Sequence, residues 1–314
     1  MNNTVLVTAI GSFSADCVVN ELKRNKYRVI GCDIYPSEWH AVSKDCDKVY
    51  RVPFAKEEDK YINSLLDISA ENQVNFIFPL TDLEIDVFNK HRNVFTDKGI
   101  IICMPSSLTL SIARDKYRLF KTFEEDENVP SIKTFKTGCG VIPDLLPCVA
   151  KPYNGRSSEG LKIISDSATL KEIKSLDNYI IQEFVSGTVF TVDYTRSSQT
   201  GHDFCIPREE LLRTKNGAGT TVKITVDPQL SNLVSYIGTK IQVNGTINME
   251  FIKHLDKYYL IDINPRFSAG VAFSLVAGYN MVMSHLNCFN ESDIYSPIEY
   301  AEQLITKRYK EEIL

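Results

Sequence analysis

Residues Tyr258–Gly270 read YYLIDINPRFSAG, and the fold turns on how this run is laid out. In an extended chain, alternation puts Asp262 and Asn264 on one face and Ile261 and Ile263 on the other. Pro265 cannot donate to a ladder, so it ends the strand, and Arg266 follows at once. Upstream, Thr246–Lys253 (TINMEFIK) forms a second strand with Asn248 and Glu250 on one face. A connecting turn of odd length, for instance Leu255–Lys257, sets Glu250 opposite Asp262 on the same face. Glu250, Asp262 and Asn264 then converge on one point. An all-oxygen set suits Mg²⁺, which takes one or two carboxylates and completes its shell with phosphate and water. Mn²⁺ accepts the same hard ligands.

The rest of the chain bounds the reading. Its 314 residues suit two or three compact units. An apolar content of 43% with 24% charged residues is that of an ordinary globular protein. The net charge is -5 and the Lys and Arg are dispersed, which argues against a nucleic-acid partner. No apolar run approaches ~20 residues, so no membrane span is expected, and Val5–Val7 is broken too early for a signal peptide. Eight Cys are present and no two are three positions apart, so neither a zinc ribbon nor a redox pair is indicated. Scattered thiols of this kind point to a reducing cytoplasm. The five His are equally dispersed and form no metal-binding spacing.

Read in order, the first third alternates strands and helices. Asn3–Ala9, Arg28–Asp33, Val74–Pro79 and Ile100–Met104 are apolar strands; the stretch up to Asn25, Tyr61–Asn72 and Leu83–Val94 are helical. This predicts a doubly wound parallel sheet ending near Met104. Only Gly11 follows the first strand, so the three-glycine dinucleotide fingerprint is missing. Asp33 is either a ribose-hydroxyl ligand or a strand-end cap. Thr81, Asp82 and Glu84 sit where such sheets place ligands, and equally where a helix is capped.

Pro105 opens a different region. A helix runs from the Arg114-Asp115-Lys116 segment to Glu125, and Cys148–Pro152 is a strand ending in Lys151. Tyr153–Gly160 (YNGRSSEG) is a loop of small residues with Arg156, Ser157 and Ser158, able to fold over phosphates or to serve as a plain turn. Tyr179–Val185 and Thr188–Tyr194 form a strand interrupted at Gly187, where backbone groups are exposed. Asp227–Asn244, Val271–Asn280 and Met281–Phe289 are helical, and Tyr300–Lys310 is a solvated terminal strand or helix.

Asp115-Lys116, Lys151-Pro152 with its loop, Gln182–Gly187, Asn248–Phe251 and Asp262–Arg266 stand in an order that resembles the ATP-grasp superfamily. The nearest look-alikes are single-chain proteins similar to the carbamoyl-phosphate synthase large subunit and to carboxylate–amine ligases. The resemblance implies a fold of mixed α/β and α+β class. A Rossmann-like pre-ATP-grasp domain would span 1–104, a small lobe with the phosphate loop 105–185, and a large lobe with the Mg²⁺ site 186–314. It implies ATP as cofactor and a carboxylate activated as its acyl phosphate for attack by an amine. Lys116 and Lys151 would neutralise phosphates. Arg156, Ser157 and Ser158 would close over them. Gln182, Glu183, Phe184 and Val185 would form the adenine hinge, with Glu183 and Val185 bonding through their backbones. Glu250, Asp262 and Asn264 would hold the metal, and Arg266 would stabilise the transferring phosphoryl group.

Three positions depart from the pattern. Val189 stands where a ribose-binding glutamate is usual, which leaves Asp193, further along the same face, as the substitute. Gly217-Ala218-Gly219 replaces a Gly-Glu pair. Asp262 replaces a commoner glutamate. Arg208 and Arg213 are candidates for a substrate carboxylate or for ion pairs. Phosphoryl transfer to carbamate or bicarbonate, and a non-catalytic ATP-binding module, are the alternative functions; a homodimer is one open assembly state.

Overall fold

The computed structural model describes residues 3–156 and 159–313; Ser157 and Ser158 of the expected phosphate loop lie outside the described residues. Strands β1 (Thr4–Thr8), β2 (Arg28–Asp33), β3 (Lys48–Arg51), β4 (Val74–Phe78) and β5 (Ile101–Ile102) form a parallel sheet in the order β3-β2-β1-β4-β5. β1 is buried along its whole length, as a strand with helices on both faces must be. The order reverses between β1 and β4, and the carboxyl ends of these strands open a crevice there. β3 is not legible in the sequence: its KVYR run is four residues long and incompletely buried at the sheet edge. The helix expected over Leu83–Val94 is two, Asp82–Lys90 and Arg92–Thr96, broken at His91.

A four-stranded antiparallel sheet follows, β6 (Thr134–Lys136), β7 (Cys148–Pro152), β8 (Lys162–Ile164) and β9 (Tyr179–Glu183), in the order β6-β9-β7-β8. The helix Ser167–Lys174 covers it with Leu170 and Ile173. The third sheet is antiparallel and has six strands, ordered β14-β13-β10-β11-β12-β15. They are β10 (Thr188–Arg196), β11 (Asp203–Arg213), β12 (Gly219–Ile224), β13 (Gly245–His254), β14 (Lys257–Asn264) and β15 (Gln303–Thr306). The mixed α/β and α+β class expected from the sequence is the one observed. One apolar core runs from Val5, Val7 and Val18 of the parallel unit into Phe267, Phe273 and Met281 of the large sheet's flank. The two units therefore share a packed interface.

The β13–β14 hairpin corrects the expected turn. The connection is two residues, Leu255 and Asp256, with Leu255 in the left-handed region at φ 53°. His254 pairs with Lys257 and Phe251 with Leu260, a register that alone would bring Ile261 opposite Glu250. The ladder shifts between Glu250 and Phe251, so Ile261 is the extra residue of a bulge and Glu250 pairs with Asp262. The bulge also overturns the expected sharing of a face by Ile261 and Ile263: Ile263 is buried while Ile261 is half-buried.

Candidate active site

The crevice at the end of the parallel sheet and the open face of β10, β11, β13 and β14 enclose a cavity of about 620 Å³. Thr191, Asn248, Glu250, Asp262, Asn264 and Arg266 line one end of it. β13 and β14 deliver the acids. Ile247, Met249, Phe251 and Ile263 face the core, so the intervening Asn248, Glu250, Asp262 and Asn264 are turned outward.

Each acid meets a cation. Lys116 Nζ lies 3.1 Å from Asp262 Oδ1 and donates to the carbonyl of Gly155 at 3.0 Å, tying the loop after β7 to β14. Asp115 positions this lysine by capping its helix, accepting from the Tyr117 and Arg118 amides. Arg213 Nη2 lies 3.1 Å from Glu250 Oε2. Lys151 Nζ donates to the Ile261 carbonyl at 3.2 Å. Burial brings the Lys151 pKa down to about 8, with Lys116 adding to the fall and Asp262 and Glu250 opposing it.

Asn264 Nδ2 donates to Asn248 Oδ1 at 3.2 Å, and Asn248 Nδ2 donates to the Arg266 carbonyl at 3.1 Å. This chain of amides turns Asn264 Oδ1 toward the Arg266 guanidinium, 3.4 Å away. Arg266 reaches across to the parallel unit and donates to Asp82 Oδ2 at 2.9 Å. Burial works to raise the Asp82 carboxyl, but Arg266, Arg114 and Lys116 outweigh it and hold it below the usual range. The capping reading of Thr81–Glu84 is observed, since Thr81 and Glu84 form a capping box, while Asp82 lines the cavity.

Residues 113–270 match the family model described as the ATP-grasp domain. The chain belongs to the ATP-grasp family. Residues 5–103 match the model described as the PylC-like, N-terminal domain. No curated protein matches the sequence. Among solved structures, pyruvate carboxylase of Rhizobium etli aligns with a TM-score of 0.73 at 15% identity, over 92% of this chain but 28% of its own. The biotin carboxylase domain of Hydrogenobacter thermophilus 2-oxoglutarate carboxylase, in complex with MgADP, ADP and bicarbonate, gives 0.76 at 15% identity, over 93% of this chain and 70% of that one. L-amino acid ligase from Bacillus licheniformis gives 0.71 at 14% identity, over 91% and 73%.

Within this ATP-grasp chain the oxygen donors fit a hard divalent cation. Glu250 Oε1, Asp262 Oδ2 and Asn264 Oδ1 accept no hydrogen bond from a backbone amide or a lysine among the described residues, and all three side chains open on the cavity. No group of three His, Cys, Asp or Glu placed to hold a metal ion exists among the described residues, so an ion here would have to draw on two carboxylates and an amide.

Two expectations are corrected. Asp193 does not face a ribose site. It is 1% exposed, paired with Arg208 Nη1 at 2.8 Å and accepting from Ser274 Oγ at 2.7 Å. Arg208 is likewise engaged, with Glu210 and Ser268 as further partners, and holds the floor of the cavity together. Asp33 is the strand-end cap, accepting from the Gly11 and Tyr35 amides. At the hinge, the Glu183 amide is spent on the Lys133 carbonyl at 3.1 Å, and that of Phe184 points to Pro147 O. Gln182 donates to Thr134 Oγ1 at 2.8 Å. The strand interrupted at Gly187 that the sequence suggests is not found: β9 ends at Glu183, and β10, from Thr188, belongs to the six-stranded sheet; among the described residues the Val185 amide makes no hydrogen bond. Asp82, Arg114 and Asn248 complete the site; their partners lie up to 184 residues away, beyond the reach of local pattern.

Proposed function

We propose that the protein is an ATP-dependent ligase that activates a carboxylate as its acyl phosphate for attack by an amine. The observation that carries this reading is the pairing of Glu250 with Asp262 at the charged end of a cavity also lined by Arg266. A carboxylate oxygen attacks the γ-phosphorus of ATP and ADP leaves. The amine nitrogen then attacks the acyl carbon, phosphate leaves with the bonding pair, and the nitrogen gives up its proton to solvent.

Bringing an anion to a triphosphate makes charge neutralisation most of the task. Lys116 and Lys151 serve the phosphates, and Arg266, fixed by Asp82, serves the transferring group. Glu250, Asp262 and Asn264 would hold Mg²⁺ or Mn²⁺, which supplies neutralisation of the phosphate oxygens. Arg156 and its loop, Ser157 and Ser158 included, would exclude water. Adenine would rest at Gln182, Glu183, Phe184 and Val185, with Val185 the residue whose amide is free to bond it. The units 1–104, 105–185 and 186–314 would act as substrate wall, ATP lid and metal lobe, one for each sheet. The MgADP bound by the Hydrogenobacter thermophilus domain supports the cofactor assignment.

A bicarbonate acceptor is less favoured: a cavity of about 620 Å³ suits a larger organic substrate. Cysteines without disulfide partners support a reducing compartment, and no helix of the described residues is long and apolar enough to cross a membrane. The test is product mass spectrometry on a mixed pool of carboxylates and amines with MgATP. A new amide with stoichiometric ADP is expected. Binding of MgATP with no ADP from any pair overturns the ligase reading.

A further inference from the structure

The cavity has two unlike walls. The large-sheet wall is charged, with Glu250, Asp262, Arg213 and Arg266. The wall contributed by the parallel unit carries Asp33, His40 and Asp82 together with Phe13, Tyr35, Phe54 and Leu83, which are 58%, 48%, 48% and 40% exposed. Exposed apolar side chains scattered singly are ordinary, but here all four open on one cavity.

Two of these rings, Phe13 and Tyr35, have partners that orient them. Lys307, in the segment after β15, donates to the Ala269 carbonyl at 2.7 Å and sets its ammonium 5.6 Å from the Phe13 ring centroid and 5.4 Å from that of Phe273. Phe13 is thereby fixed against the loop that follows Arg266. Tyr35 is stacked on Trp39, with centroids 5.6 Å apart and planes 26° from parallel. A pre-set aromatic surface loses little freedom when a ligand covers it, so the gain from burying a flat ring is retained as affinity.

We propose that the substrate whose carboxylate or amine reacts at the charged wall carries a flat apolar ring, and that Phe13, Tyr35 and Phe54 receive it. The nature of the reacting groups rests on the ligase reading; the ring subsite rests on the aromatic wall alone. Trp39 is the single tryptophan of the chain and reports on its stacking partner.

The test is fluorescence titration of the full chain, saturated with MgADP, against matched pairs: 3-phenylpropanoate and propanoate, L-phenylalanine and L-alanine, benzylamine and methylamine. The ring-bearing member of at least one pair is expected to quench Trp39 and to bind about tenfold or more tighter than its partner. Phe54→Ala and Tyr35→Leu are each expected to cut that preference to about threefold or less, with MgADP affinity unchanged as the control for folding. Equal affinity within every pair, no binding by any of the six, or a preference that survives both substitutions overturns the proposal. Binding is read without turnover, so a failure to release ADP counts against the ligase reading and leaves the ring subsite standing.

Discussion

Lys151 Nζ and the carbonyl of Ile261, 110 residues apart in the chain, are joined by a hydrogen bond of 3.2 Å. The bulge at Ile261 makes this possible, because the extra residue is left without a partner in the ladder. A lysine of the four-stranded sheet is thus fixed beside Asp262 without spending either oxygen of that carboxylate.

This enclosure makes nucleotide binding pH-dependent. The Lys151 pKa stands at about 8 against an ordinary value of 10.5, chiefly because of burial. A bound triphosphate restores the charged form. Below about pH 8 the lysine is already protonated and binding takes up no proton there; above it, binding takes up a proton and affinity falls as pH rises. Calorimetry at pH 8.5 in two buffers of different ionisation enthalpy measures the uptake, and Lys151→Met should abolish it.

Asp262→Asn and Glu250→Gln each remove one of two carboxylates from the metal set while keeping shape. Turnover should fall by at least about 100-fold. The Mg²⁺ concentration for half-maximal rate should rise in both variants. ADP release measured across a Mg²⁺ titration checks this, and wild-type turnover by either variant removes the metal role assigned to that residue.

Arg208 is assigned to the cavity floor. Arg208→Met leaves Asp193 and Glu210 buried without their cation, at a cost of about 3–5 kcal/mol. Replacing Asp193 by Asn in the same chain should recover part of that loss. Denaturant unfolding of the two variants decides it. A protein of unchanged stability whose only defect is a raised KM would return Arg208 to the substrate.

At Gly187 a Cβ would stand 2.1 Å from the Lys253 carbonyl oxygen. Gly187→Ala must therefore push the start of β10 away from β13, at a cost of about 1–3 kcal/mol. A lowered unfolding temperature and weaker adenine-nucleotide binding are expected together, since the hinge lies immediately before this glycine. Thermal unfolding with and without ADP measures both effects.

Local pattern carried most of the framework. The apolar runs at Val5–Val7 and Val74–Phe78 mark the parallel sheet, and Asp262-x-Asn264 opposite Glu250 marks the two strands that carry the acids of the cavity. The bulge was invisible, because alternation is strictly two-fold and contains no sign of a residue left out of the ladder. The Asp193 assignment failed for a related reason. Periodicity gives the face a side chain occupies, and Asp193 does share one with Thr191. It does not give what covers that face, which here is Arg208 and Ser274, 15 and 81 residues along the chain. The helix Ser167–Lys174 is legible in the sequence: Asp166 accepts from the Thr169 amide as its cap, and Leu170 and Ile173 are spaced for one buried side.

The Arg266–Asp82 link has a bearing on how such proteins can be recombined. The arginine follows β14 of the six-stranded sheet, and its anchor lies at the carboxyl end of β4 in the parallel unit. A chimaera that imports a new N-terminal unit, in search of a new specificity, leaves the Arg266 guanidinium with only its contacts to Phe267 O and Asn264 unless the incoming sequence also brings an acid to position 82. On the ligase reading, specificity and turnover would be exchanged together, because one of the contacts across this seam holds the arginine.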